Sequence, residues 1–217
     1  MLPISFAITA VGAAALSLVL QLRAEDRGPR WQVYLFKPLT TSLLVLLAAV
    51  PPSAQGARYQ VAICVGLACS LLGDVFLMLP RDRFAPGLAS FLVAHAAYIV
   101  AFTTGVSIGT APVFLLPLLG VAILLVRLLW PSLGSLRIPV LVYTATILLM
   151  VWQAWARRWL LPTPSATLAA VGAGLFMVSD GLLALNRFGR PLPRAQVLTM
   201  TTYVAAQTLI ALSVSTG

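Results

Sequence analysis

Eight runs of about 20 apolar residues, separated only by short stretches of proline, glycine and charge, leave this chain almost one choice of fold. The runs cover roughly residues 2–22, 33–50, 59–79, 84–103, 109–130, 138–156, 165–185 and 195–214. A bilayer core of about 30 Å takes about 20 residues of helix, so each run predicts one crossing. Helices satisfy their own backbone hydrogen bonds in lipid, which open segments cannot do. The breaks are Arg27-Gly28-Pro29-Arg30, Pro51-Pro52, Pro80-Arg81-Asp82-Arg83, Trp130-Pro131, Pro162-Thr163-Pro164 and Arg190-Pro191-Leu192-Pro193-Arg194. Connections this short make neighbouring helices antiparallel and leave no room for a soluble domain. Residues 1–217 therefore read as a single integral membrane domain of all-α class. Charged residues make up 9% of the chain, against about 25% in soluble domains. Met1 to Leu20 lacks a basic n-region, and its apolar run exceeds a usual signal-peptide core, so it reads as a retained first helix.

The net charge of +9 would point to nucleic acid in a soluble domain. Here the basic residues lie at the ends of spans, where the positive-inside rule accounts for them, and nucleic-acid binding is excluded. Arg23, Arg27, Arg30, Lys37, Arg81, Arg83, Arg127, Arg137, Arg187, Arg190 and Arg194 fall on one side, and only Arg58, Arg157 and Arg158 on the other. That asymmetry puts the loops after helices 1, 3, 5 and 7 in the cytoplasm and both termini on the non-cytoplasmic side, as for a bacterial inner-membrane protein. Trp31, Trp130 and Trp159 fall at the expected interfaces. Cys64 and Cys69, five residues apart on one helix, point in different directions and read as small packing residues.

Only Asp74 and Asp180, of five acidic residues, lie inside apolar spans. A carboxylate in hydrocarbon costs about 3 kcal/mol or more unless paired, protonated or wet, so such groups mark functional sites. The segments around them align: Leu72-Gly73-Asp74 to Arg81 lies on Val178-Ser179-Asp180 to Arg187 at an offset of 106 residues, with Gly66 on Gly172 and Tyr98 near Tyr203. This alignment admits a parallel repeat of four plus four helices, with a site at the interface of the halves.

Counting residues from the breaks places Asp74 and Asp180 about 9–10 Å inside the cytoplasmic face. Lys37 and Tyr143 share that depth, Tyr203 lies deeper, and His95 and Gln207 approach the midplane. Each has a plainer reading. Lys37 can snorkel to the interface. The tyrosines can pack with each hydroxyl on a backbone carbonyl. His95 can bond between helices, and the aspartates can form structural ion pairs with Lys37 or an arginine. One histidine and no suitably placed cysteine disfavour a catalytic zinc, so no metal or other cofactor is expected. No Gly-x-Ser-x-Gly elbow supports a serine triad.

In order and spacing, Lys37-Pro38-Leu39-Thr40, Leu72-Gly73-Asp74-Val75-Phe76-Leu77, Phe84 with Gly87, Phe91, His95 and Tyr98, Ser179-Asp180, and Thr202-Tyr203 with Gln207 resemble the YhhN-like family of membrane proteins. That family includes animal and bacterial lysoplasmalogenases. The resemblance implies an eight-helix membrane hydrolase acting on lysoplasmalogens, single-chain glycerophospholipids with an sn-1 vinyl ether. It implies a fatty aldehyde and glycerophosphoethanolamine or glycerophosphocholine as products.

Vinyl ethers are cleaved by acid, which requires a proton donor and a nearby negative charge. Two aspartates sharing a desolvated site supply both, because like charges that close do not both ionise readily. Asp74 and Asp180 are thus the expected catalytic pair. Lys37, His95, Tyr98, Tyr143, Tyr203 and Gln207 are the expected substrate-binding groups, with Lys37 facing the phosphate and Arg81 or Arg187 at the rim. The competing function is a proton-coupled transporter or flippase of small amphiphiles, which intramembrane acids also suit. A lipid-binding protein without turnover is a further alternative. An intramembrane aspartyl protease would share the Gly73-Asp74 pair, but a two-residue motif carries little weight.

Overall fold

The structure, a computed structural model, describes residues 4–216. It is helical throughout, with eight helices long and apolar enough to cross a membrane. They are α1 (Ile4–Arg27), α2 (Arg30–Ala49), α3 (Ala57–Met78), α4 (Phe84–Phe102), α5 (Leu115–Leu129), α6 (Arg137–Leu160), α7 (Pro164–Phe188) and α8 (Ala195–Leu212). The protein is an integral membrane protein with every expected crossing in place. The expected start of the first run, residue 2, lies outside the described residues.

Helix ends follow the local chemistry. Pro29 stands just before α2, where its missing N–H costs nothing. Thr163 caps α7 by accepting a hydrogen bond from the Ala166 amide, with Pro164 in the first turn. A short 3₁₀ turn precedes α5 and two follow it, at Pro112–Phe114, Trp130–Ser132 and Gly134–Leu136. Three helices outrun their expected ends, α1 by continuing past residue 22 to Arg27. α7 continues through Arg187 to Phe188, and α6 continues through Arg157 to Leu160. Arg157, expected at a helix exit, is instead buried. Its guanidinium donates to Gln55 Oε1 at 2.6 Å and to the Thr104 carbonyl at 3.3 Å, and lies over the Tyr59 ring. Charge-assisted bonds and a ring face keep it inside.

Six helices close a ring in the order α2, α3, α4, α6, α7, α8, each packed on the next and α8 returning to α2. α1 lies outside on α2 and α8, and α5 outside on α6 and α7. Lipid is as apolar as leucine, so close packing holds such helices together, and small residues permit it. A Cβ added to Gly66 would come within 2.2 Å of the Tyr98 ring, and one on Gly172 within 2.9 Å of the Ala206 carbonyl. These two glycines let α4 approach α3 and α8 approach α7. The four-plus-four duplication is not established by this packing. The ring order suits it, but α1 leans on α8 whereas α5 leans on α7, so the outer helices do not take matching places.

The ring positions the intramembrane polar groups. α3 and α7 bring Asp74 and Asp180 toward the same end of the bundle, where α1, α3, α5 and α7 finish and α2, α4, α6 and α8 begin. Pro38 stands inside α2 beside Lys37 and cannot donate to the carbonyl a turn earlier. Two hydroxyls brace the backbone there, since Ser17 and Thr40 both donate to the Phe36 carbonyl at 2.9 Å.

Candidate active site

Asp74 is buried, and one of its carboxylate oxygens takes both of its side-chain hydrogen bonds. Thr41 Oγ1 donates to Oδ2 at 2.8 Å and the Tyr203 hydroxyl donates to the same oxygen at 2.7 Å. Lys37 Nζ faces Oδ1 at 3.9 Å. Lys37 is itself only 6% exposed, so it turns inward rather than snorkelling. α2, α3 and α8 therefore each contribute to one cluster. Thr41 was missing from the sequence reading, although its place four residues after Lys37 puts it on the same face of α2.

Asp180 has different company. The Tyr143 hydroxyl, from α6, donates to its Oδ2. His95 Nε2, from α4, lies 3.7 Å from that oxygen, too far for a hydrogen bond. The His95 ring is completely buried, edge-on to Tyr143 and Phe176. Phe176 in turn meets Phe91 and Tyr203 edge-on, so an aromatic knot links the two acid clusters. Tyr98 donates to Gln207 Oε1 at 2.6 Å, and both are wholly buried. This pair ties α4 to α8 behind the acids. Of the eight residues singled out from sequence, two are the carboxylates, four (Lys37, His95, Tyr143 and Tyr203) surround them and two (Tyr98 and Gln207) brace the helices around them.

Asp74 and Asp180 line one polar cavity of about 660 Å³, together with Lys37, Arg81, Arg83 and Tyr203. At its rim Arg187 pairs with Asp82 at 2.5 Å. This hydrogen bond, with a second from the Phe84 amide, holds the Asp82 carboxyl below the usual carboxylate range. A second cavity, of about 320 Å³, is lined almost wholly by carbon, from Leu88, Ala122, Leu125, Val140, Ile147 and Met177 among others. The two share Leu77, Phe84, Phe91, Asp180 and Leu183 as walls. Asp180 is thus a polar group at the junction of a charged vestibule and an apolar slot. The slot depends on α5, whose side chains give no sequence signal for it, because any leucine-rich helix presents the same chemistry. Among the described residues, no three His, Cys, Asp or Glu side chains gather to hold a metal ion.

A model of the YhhN family matches residues 32–214. The chain belongs to the YhhN family. Within it, the Escherichia coli O6:H1 protein named uncharacterized membrane protein YhhN is 33% identical over 198 residues, 91% of this chain and 94% of its own. Lysoplasmalogenase TMEM86B of Sus scrofa is 36% identical over 191 residues, covering 88% of this chain and 78% of its own. Lysoplasmalogenase TMEM86A of Bos taurus is 37% identical over 202 residues, covering 86% and 79%. No solved structure matches this YhhN-family chain.

Proposed function

We propose that this protein is a membrane hydrolase that cleaves the sn-1 vinyl ether of lysoplasmalogens. One observation carries the reading: Asp180 borders both the polar vestibule and the apolar slot. A lysoplasmalogen has that same division, a charged head group on one side of its vinyl ether and an alkenyl chain on the other. The names of the TMEM86 relatives support the same substrate class.

The two acids take different roles. Asp74, with two hydroxyl donors and an ammonium facing it, matches an ionised carboxylate. Asp180, with one phenol donor and an apolar wall, matches the protonated partner. Asp180 gives its proton to the vinyl carbon beta to the ether oxygen, leaving an oxocarbenium ion. Asp74 stabilises that cation and takes a proton from the water that attacks it. The resulting hemiacetal passes its hydroxyl proton to the departing glycerol oxygen. One water is consumed, a fatty aldehyde and a glycerophospho-head group are released, and the proton that Asp74 gained returns to Asp180 by exchange through the water of the vestibule, restoring the pair. Lys37 keeps Asp74 charged and in place, and Arg81 and Arg83 meet the phosphate. His95, Tyr98 and Gln207 act from behind, fixing the helices and the aromatic knot.

Purified protein is expected to release aldehyde from 1-alkenyl lysophospholipid with a bell-shaped pH–rate profile. Turnover falls at low pH as Asp74 gains a proton and at high pH as Asp180 loses its own. A profile flat between about pH 5 and 9, or proton-driven uptake without turnover, overturns the reading. We place the vestibule on the cytoplasmic side from the charge asymmetry. Alkaline phosphatase fused after Gly217 is then expected to be active in a bacterial host, and an inactive fusion reverses the orientation.

A further inference from the structure

A third cavity, of about 500 Å³, adjoins the vestibule and shares Leu79 and Pro80 with it. Its walls include Glu25 from the end of α1 and Arg30 and Tyr34 from the start of α2. Glu25 Oε1 accepts from Gln21 Nε2 and Gln196 Nε2, both at 3.0 Å. Gln196 itself lines the vestibule. Glu25 Oε2 is buried and has no hydrogen-bond partner among the described residues.

The charge pattern sets Glu25 apart. Asp26 pairs with Arg27, Asp74 with Lys37 and Asp82 with Arg187, and Asp180 lies beside His95. Among the described residues Glu25 is the one acid with no basic group within 4.0 Å, in a chain of net charge +9. A carboxylate oxygen left unsatisfied at a cavity wall is costly unless a cation or donor reaches it. Tyr34 adds an aromatic face, the second group that recognises alkylammonium ions. Glu25 is two residues from the end of α1, whereas Lys37 is seven residues into α2, so Glu25 lies roughly 7 Å nearer the mouth. Asp74 and Lys37 thus lie deeper than Glu25. A zwitterionic lysophospholipid carries its ammonium at the far end of the head group from its vinyl ether, so an ammonium subsite belongs nearer the mouth than the aspartates.

We propose that Glu25, with Tyr34, forms the subsite for the head-group ammonium, selecting ethanolamine- and choline-bearing lysolipids over anionic ones. This rests on the hydrolase reading above, and the test separates the two. Full-length protein in detergent is assayed with alkenyl lysolipids carrying ethanolamine, choline or glycerol head groups. Glu25→Gln keeps an acceptor for Gln21 and Gln196 but removes the charge. It is expected to lower kcat/KM about tenfold for the ammonium lipids and less than about twofold for the glycerol lipid. An equal loss on all three assigns Glu25 to the fold alone, and no loss on any removes the contact; both overturn the subsite.

Binding of uncleavable 1-alkyl analogues with the same head groups reads the preference without turnover. A preference for ammonium that vanishes in Glu25→Gln upholds the subsite even if no substrate is hydrolysed, which would reject the hydrolase reading alone. If Glu25→Gln does not accumulate folded, tetramethylammonium chloride is titrated against the unaltered protein. Competitive inhibition supports the subsite. Inhibition no greater than that by sodium chloride at equal ionic strength overturns it.

Discussion

Replacing Asp180 by Asn is expected to lower aldehyde release by about 10²–10⁴-fold, the usual contribution of a positioned general acid. The protein should still fold, because Asp180 faces no lysine or arginine that the change would leave unpaired. Asn keeps an acceptor for the Tyr143 hydroxyl, so the α6–α7 bond survives. Thermal unfolding in detergent and the elution profile should therefore match the parent. KM should change little, since the amide lines the same two cavities with nearly the same volume. Tyr143→Phe provides a graded comparison. It leaves the acid but frees its carboxyl group to turn, so a smaller loss is expected than for Asp180→Asn. Full activity in Asp180→Asn would remove the acid from the mechanism, whatever the substrate.

The second large effect is on stability. Lys37→Met removes a buried ammonium from beside a buried carboxylate, and breaking such a pair from one side costs about 3–5 kcal/mol. Asp74→Asn does the same from the other side and also removes the proposed base, so activity and stability fall together. The double replacement Lys37→Met/Asp74→Asn leaves no uncompensated charge and is expected to recover most of the stability while staying inactive. Unfolding by sodium dodecyl sulfate, measured for all four members of the cycle, separates these effects. A coupling below about 1 kcal/mol would mean that Lys37 and Asp74 do not act as an ion pair.

Much of the site was legible because polar groups are scarce in these spans. Asp74, Asp180 and Lys37 declare themselves by being costly in lipid and by sharing one depth, and all three line the vestibule with the deeper Tyr203. Thr41 was less visible, because a threonine inside a helix can satisfy itself on its own backbone. The apolar slot was invisible. Its walls are ordinary leucines, valines and phenylalanines, and a cavity is a property of how helices fail to meet rather than of any residue in them. Glu25 falls after the first apolar run, and only its hydrogen bond from Gln196, a vestibule residue far away in sequence, brings it to that cavity's edge.

The sequence by itself determined the eight helices and where they break, because hydrocarbon allows the backbone no other way to satisfy its hydrogen bonds. It also determined that two acids must be shielded. Only the tertiary structure decided what shields them. α2 and α8 surround Asp74 with a lysine and two hydroxyls, whereas α6 and α4 give Asp180 a phenol and a buried imidazole. Lipid favours no particular neighbour for an apolar helix, so side-chain fit at glycine-lined crossings, and not hydropathy, sets the ring order and with it the different surroundings of two chemically identical carboxylates.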